Sequence, residues 1–389
     1  MYADFDKTIA SLRARYDDPH VIVAISGGVD SAVTAMLLKQ AGLKLTAIFM
    51  KNWNEPDEFG QCSWEEDVGD ALDVCEKLDI PINTVDLSQS YWDGVFAEFL
   101  REYRLGRTPN PDILCNREVK FKAFMEHIDS LGGDLVATGH YAQIGTKPRK
   151  NQSDEEPGKF ELLRGLDTNK DQSYFLYALG QPQLARSLFP IGGLDKGVVR
   201  NLAKQADLAL HAKRDSTGIC FIGERKFREF LSGYISIKPG PIKTLDDRII
   251  GEHDGAALYT IGQREGLGIG GVKGYPQGPW FVTSKNAETN ELYVTQGHSH
   301  AALMSDALIA DTVHWISGEQ PLSPFSCTAQ TRYRQKDEDC DVFLRSDDTI
   351  EVKFRRPQRA VTPGQSVVLY NGPICLGGAI IDSTSKKAS

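Results

Sequence analysis

In the first half of the chain, short unbroken apolar runs alternate with stretches in which apolar residues recur at helical spacing. Val21 to Ser26 is such a run; from Asp30 to Ala41 the apolar Val33, Met36 and Leu37 share one helical face, and Gly42 marks the stop. Leu45 to Met50 predicts a second strand, Glu65 to Leu78 a second helix, and Ile80 to Leu87 a third strand opened by Pro81. Helices are predicted over Tyr91 to Tyr103, Arg117 to Leu131 and Asp195 to Leu208, and a strand over Asp134 to Thr138. Gly145 to Lys159 is polar and turn-rich and reads as a mobile surface loop. Strands separated by helices imply a parallel sheet covered on both faces.

After about residue 222 the apolar period falls from 3.6 to 2, as in Trp280 to Thr283, Leu292 to Thr295, Thr349 to Phe354 and Ser366 to Tyr370. The tail therefore reads as a small antiparallel barrel or sandwich. A glycine-dense segment around 262–278 reads as a junction. At 389 residues the chain is too long for one ordinary core. The expected division is a catalytic α/β domain over 1–222, a small β-rich linking domain over 223–300 and a C-terminal β-barrel over 301–389.

The net charge of −9 gives no global positive field, so a polyanion must be met locally. Apolar stretches fall far short of the ~20 residues that span a bilayer, and no membrane partner is expected. The N-terminal MYADFDKTIASLRARYDD has no apolar signal core and is rich in Asp, which implies a cytoplasmic protein. Seven cysteines without a CxxC pair disfavour a disulfide scaffold and a zinc ribbon, and no resident metal ligands are assigned.

The strongest local signal is Ser26-Gly27-Gly28-Val29-Asp30-Ser31, set between a buried strand and a helix. Unpaired N–H groups and the positive dipole end of the first helical turn attract phosphate, and the glycines let its oxygens approach. No lysine stands in the loop, so GxxxxGK[ST] is not met; Asp30 suggests a metal near the phosphates. A Gly-Gly turn alone is equally an ordinary capped turn. Met50 and Ala137-Thr138-Gly139-His140 end other strands and fit an adenine pocket at the carboxyl edge of the sheet, although each singly also suits core packing.

Two cysteines have reactive surroundings. Cys115 follows Thr108-Pro109-Asn110-Pro111-Asp112-Ile113-Leu114, whose prolines place the thiol near the start of the next helix, where thiolate is favoured. Cys220 follows Lys213-Arg214-Asp215-Ser216-Thr217-Gly218-Ile219, with cations close by. Local sequence leaves reactive and inert roles for both equally open. Cys62, Cys75, Cys327, Cys340 and Cys375 read as small hydrophobes.

The SGGxDS string resembles the pyrophosphate loop of the PP-loop ATPases, the adenine nucleotide alpha hydrolase-like fold. Asn110 to Asn116, Lys170-Asp-Gln-Ser-Tyr-Phe-Leu176, Asp215 to Gly223, Thr260 to Gly271 and Thr362-Pro-Gly-Gln365 resemble strings of the tRNA-specific 2-thiouridylases, with matches from about residue 21 to residue 378. The resemblance implies ATP-dependent replacement by sulfur of the C2 oxygen of the wobble uridine, position 34, in tRNAs for Lys, Glu and Gln. ATP, with Mg²⁺ expected, adenylates that oxygen at Ala24, Ile25, Ser26, Gly27, Gly28, Val29, Asp30, Ser31, Met50 and Gly139. Sulfur arrives as a persulfide on Cys220 from a sulfur-relay protein or cysteine desulfurase. Cys115 matches the nucleophile that either frees that sulfur or resolves the product as a transient disulfide with Cys220; Asp112 matches the acid/base. Some members have Cys at this last position and assemble an iron–sulfur cluster, so a cluster on Asp112, Cys115 and Cys220 stays open beside the persulfide route.

The same resemblance places the tRNA anticodon stem-loop on Asn110, Pro111, Asp112, His140, Lys170, Asp171, Gln172, Arg332, Tyr333 and Gln365. Tyr333 beside Arg332 offers a stacking plane next to a cation, which suits an everted base. Basic clusters at Arg101, Arg104 and Arg107, at Arg225, Lys226 and Arg228, at Arg332, Arg334 and Lys336, and at Lys353, Arg355, Arg356 and Arg359 are further candidates for RNA phosphates or plain solvated faces. A nitrogen-transferring PP-loop ligase would need no paired thiols, and an RNA-binding protein with a relic loop would not turn ATP over.

Overall fold

The computed structural model describes residues 3–54, 62, 64–147, 158–215 and 227–385. After a helix α1 (Ala3–Arg15), the chain runs through β1 (His20–Ile25), α2 (Val29–Gln40), β2 (Lys44–Lys51), α3 (Trp64–Leu78), β3 (Ile82–Asp86) and β4 (Leu135–Ala137). The hairpin of β5 (Ala142–Lys147) and β6 (Lys159–Arg164) follows, then β7 (Ser187–Leu188). Strands β3, β2, β1, β4 and β7 lie side by side in that order, all parallel. Val21, Ile22 and Val23 of β1 are fully buried, as a central strand covered on both faces requires. The first crossover goes to one side of β1 and the strand after β3 returns on the other. The ends of β1 and β4 therefore flank the switch point where open α/β sheets bind ligands.

Three segments depart from the apolar pattern. The helix expected from Tyr91 begins at Ser88, whose N–H donates to Asp86 Oδ1 at 3.0 Å, while the N-cap Leu87 makes no side-chain cap bond. The helix expected from Arg117 begins at Pro111, which takes the first helical position, where a missing N–H costs nothing. It continues through a wide π-type stretch, Cys115–Ala123, into Phe124–Ser130, and Phe121 leaves helical geometry at φ −115° and ψ 16°. Both ends of the expected surface loop are strand: β5 and β6 pair from Ala142↔Arg164 to Lys147↔Lys159, and residues 148–157 lie outside the described residues.

The middle unit is a four-stranded sheet of β8 (Gly240–Thr244), β9 (Ile249–His253), β10 (Trp280–Asn286) and β11 (Glu291–Gln296), in the order β10-β11-β8-β9. The segment 262–278 is not a junction: its Leu267, Ile269, Val272 and Tyr275 pack with Ile242, Trp280 and Val282 in the core of this unit.

The last unit comprises β12 (Met304–Trp315), β13 (Phe325–Gln330), β14 (Glu338–Leu344), β15 (Ile350–Arg359), β16 (Ser366–Asn371) and β17 (Ile374–Ser385). Strand β12 pairs with both β15 and β17, which closes the barrel over Leu308, Val342, Val352, Leu369 and Ile381. The first residues of β17, Ile374 and Cys375, pair instead with β6, so the β5–β6 hairpin extends the barrel sheet.

The barrel is also tied to the α/β unit near Asn110. Pro363 O accepts from Thr108 N at 3.0 Å, and Gln365 Nε2 donates to Thr108 O at 2.8 Å and to Pro109 O at 3.3 Å. Arg107 meets Asp382 at 2.8 Å. Gly364 sits at φ +90°, and a Cβ there would come 2.9 Å from Thr108 N. Gly364→Ala therefore combines left-handed strain with a backbone clash, and a stability loss of about 1–3 kcal/mol is expected in urea unfolding. An unchanged midpoint would mean that this contact does not clamp the two units.

Candidate active site

The phosphate-type loop is formed by short-range bonds that only small residues permit. Ser31 Oγ donates to Gly28 O at 3.0 Å and accepts from Ser26 N at 3.1 Å, folding the loop over the first turn of α2. Gly28 occupies the N-cap with no side-chain cap, leaving the first N–H groups of α2 to a ligand. Gly27 has φ +67°, and a Cβ there would lie 2.3 Å from Asp67 O at the start of α3. Gly139, just past β4, is as tightly placed, since its Cβ would meet the Asp30 carbonyl carbon and Ser31 N at 2.8 Å. Ala24 and Ile25 at the end of β1 and Val29 at the start of α2 are buried. Met50, half-buried near the end of β2, packs against the adjoining core. The ATP residues expected from sequence thus gather along the carboxyl edge of the sheet.

A lysine reaches this loop from far along the chain. Lys196 Nζ bonds both oxygens of Asp30 at 2.8 Å and Asp215 Oδ1 at 2.7 Å, and only 11% of its side chain is exposed. Tyr141 OH donates to Asp30 Oδ1 at 2.8 Å; its burial and the nearby Asp30 charge push its pKa up. Asp215 also receives Lys170 at 2.5 Å and Arg200 at 2.7 Å. Burial opposes ionisation of Asp215, yet the bonds from Lys170 and Lys196 prevail and hold its pKa at about 2. Asp30 is thus occupied by an ammonium and a phenol, and among the described residues no group of three or more His, Cys, Asp or Glu could hold a metal ion. Phosphates cradled by the loop would fit this cationic edge, and a divalent cation would need oxygens from the nucleotide beside Asp30.

Cys115 is 1% exposed, four residues into the helix that opens at Pro111. Asp112 lies one turn before it; burial raises its pKa against the opposing charge of Lys120, which favours the protonated acid. Asn110, half-buried, holds the N-cap position with no side-chain cap bond. His140 is buried between Phe121 and Phe189 with ring centroids 5.9 Å from each, and its Nδ1 is 2.7 Å from Thr138 Oγ1. Burial, reinforced by Lys120, drives its pKa well below normal, so the imidazole is neutral. Cys220, with Arg225 and Lys226, lies outside the described residues.

The remaining expected tRNA residues mix surface groups with framework. Arg332 is exposed, and the half-buried Tyr333 stands 4.5 Å from the Phe175 ring. Asp171 binds Gly165 N and Ser173 N at 3.0 Å and Arg164 at 3.2 Å; Gln172 Oε1 accepts from Tyr141 N at 2.9 Å. Members of two of the basic clusters are spent on carboxylates: Arg101 on Glu98, Arg355 on Asp341 and Arg356 on Glu338.

Comparisons with known proteins decide the family. The model described as tRNA methyl transferase HUP domain matches residues 19–224, the tRNA methyl transferase PRC-barrel domain 228–296, and the aminomethyltransferase beta-barrel domain 305–381. The tRNA-specific 2-thiouridylase MnmA of Methylococcus capsulatus is 52% identical over 368 residues, covering 94% of this chain and 97% of that protein. MnmA of Francisella tularensis subsp. holarctica is 52% identical over 365 residues, covering 94% and 99%. The chain belongs to the tRNA-specific 2-thiouridylase family. The solved U34-tRNA thiolase NcsA of Methanococcus maripaludis is 17% identical, covers 59% of this chain and 72% of its own, and superposes with a TM-score of only 0.34.

Within this 2-thiouridylase, Lys196 and Tyr141 went unread in the sequence. Lys196 had one signal: it occupies the first position of Lys196–Gln205, next to the N-cap Asp195, where the helix dipole disfavours a cation. Such a misplaced charge needs a carboxylate partner. Because the folded pKa of Asp215 lies near 2, below its ordinary 3.8, its stabilisation is complete above about pH 4 and is lost as pH falls through 2. The stability difference between wild type and Asp215→Asn should therefore shrink by about 1–2 kcal/mol from pH 5 to pH 2, after allowance for partial exposure. A difference that does not change with pH would refute the ion network.

Proposed function

We propose that this protein is an ATP-dependent tRNA-uridine 2-sulfurtransferase that converts the wobble uridine, position 34, of tRNAs for Lys, Glu and Gln to 2-thiouridine. The observation that carries the reading is the Asp30–Lys196–Asp215 bridge. It joins the nucleotide loop to the root of the segment bearing Cys220, which stands five residues further on and so at most ~18 Å away by chain length.

Oxygen at C2 is a poor leaving group. In the proposed reaction this oxygen attacks the α-phosphorus of ATP, and pyrophosphate departs against the N–H groups of α2 and the Lys196 charge. Mg²⁺, when bound with ATP, would neutralise phosphate charge beside Asp30. The terminal sulfur of a Cys220 persulfide, supplied by a sulfur-relay protein or cysteine desulfurase, then attacks C2 and AMP leaves. Cys115 attacks the Cys220 sulfur, the S–S bond to the nucleoside breaks, and the product thiocarbonyl is released with a Cys115–Cys220 disulfide. Cys115 attacking the persulfide first to liberate hydrosulfide uses the same atoms in another order. Asp112, whose pKa burial raises, exchanges a proton with the reacting base. The anticodon stem-loop would lie across Asn110, Arg332 and Tyr333, while the buried His140 and Lys170, Asp171, Gln172 and Gln365 brace that surface.

The test is mass spectrometry of tRNA incubated with the protein, ATP, Mg²⁺ and a persulfide donor, a cysteine desulfurase with free cysteine. Replacement of one oxygen by sulfur at the wobble uridine is expected, with AMP formed only when tRNA is present. Cys115→Ser and Cys220→Ser should each lower thiolation by at least ~10³-fold while still binding tRNA. Full thiolation by Cys220→Ser would defeat the persulfide assignment, and AMP formation with nitrogen transfer instead of sulfur would reassign the reaction.

A further inference from the structure

Away from the nucleotide loop, the barrel sets two cysteines face to face. Cys327 on β13 and Cys340 on β14 are direct partners in the antiparallel ladder, and their Sγ atoms are 3.7 Å apart. Directly opposed residues of such a pair have Cα atoms about 4.5–5.5 Å apart, inside the 4.4–6.8 Å that a disulfide accepts. Closing the sulfurs to about 2.05 Å therefore needs side-chain rotation rather than movement of the strands. Cys340 is 1% exposed in the barrel core. Cys327 is half-buried, and both line an open groove of about 320 Å³ with Ser326, Thr328, Arg355 and Tyr370. A small oxidant can thus meet Cys327 from solvent.

The pair stands where two strands leave for a functional loop. Strand β13 ends at Gln330 and β14 starts at Glu338, so a link between 327 and 340 would close the base of the loop carrying Arg332 and Tyr333. That loop is already held from within: Gln330 Nε2 donates to Gln335 O at 2.9 Å, and Gln335 Oε1 accepts from Thr331 N at 2.8 Å.

We propose that Cys327 and Cys340 are a reversible, oxidisable dithiol whose disulfide fixes the base of the 331–337 loop. With a peroxide as oxidant, the Cys327 thiol is converted to a sulfenic acid and one water is released. The Cys340 sulfur then attacks the Cys327 sulfur, the S–O bond breaks, and the departing hydroxide leaves with the Cys340 proton as a second water. Each sulfur gives up one electron and the peroxide takes two. The hydrogen bond to Cys327 and burial raise the pKa of Cys340, so it retains its proton until that step. A thiol reductant such as glutathione reopens the bond by exchange.

The test treats the full-length protein with graded hydrogen peroxide, blocks remaining thiols with N-ethylmaleimide, and maps peptides without reduction. A peptide pair joined through Cys327 and Cys340, lighter by two hydrogens and lost on adding dithiothreitol, is expected, with amide exchange over 331–337 slowed several-fold. Cys327→Ser, a change at a half-exposed position, should abolish the link and the slowing together. Alkylation of both cysteines after other thiols have oxidised, Cys327 passing to sulfinic acid without a link, or Cys327 pairing elsewhere would each overturn the proposal. None of these readouts involves RNA or ATP, so a negative result would leave the proposed sulfurtransferase reaction untouched.

Discussion

One ammonium group, held between two carboxylates at the carboxyl edge of a parallel sheet, organises this protein. Lys196 is almost entirely withdrawn from water. Burying such a charge alone would cost several kcal/mol, and attraction to Asp30 and Asp215 at under 3 Å offsets that cost only while both partners stay ionised. The bridge therefore behaves as a unit. It fixes the start of α2, the turn after β4 through Tyr141, and the last described residue before the Cys220 segment.

A second constraint comes from the barrel. The Thr362–Gln365 turn grips the backbone of Thr108 and Pro109, immediately before Asn110 and the helix that holds Asp112 and Cys115. Tyr174 and Tyr177, in the stretch after Gln172, donate to and share bonds with Ser366 at 2.9 and 3.1 Å. The surface proposed to receive the anticodon is thus assembled from both ends of the chain. A substitution in the barrel can misplace the acid and thiol without touching either.

Much of this was legible in the sequence because burial imposes periodicity: β1, α2, β2, α3 and β3 follow their apolar patterns closely, and Ser26 to Ser31 stands where strand and helix must meet. The misreadings have physical causes. The helix read as beginning at Arg117 begins at Pro111, since the first helical turn tolerates a missing N–H. Strand β7 has two residues, too few to leave a pattern. The segment 262–278 is rich in glycine yet presents Leu267, Ile269, Val272 and Tyr275 to a core. The pairings of Lys196 with Asp30 and of Gln365 with Thr108 are 166 and 257 residues apart, and no local rule reports such contacts.

In the proposed reaction the Lys196 bridge couples nucleotide cleavage to sulfur insertion. The most direct measurement is the ratio of AMP released to 2-thiouridine formed by Lys196→Met, on protein whose circular dichroism and tRNA affinity match wild type. A rise of at least about tenfold over wild type is expected, equivalent to roughly 1.4 kcal/mol of lost coupling. A ratio equal to that of wild type would contradict it.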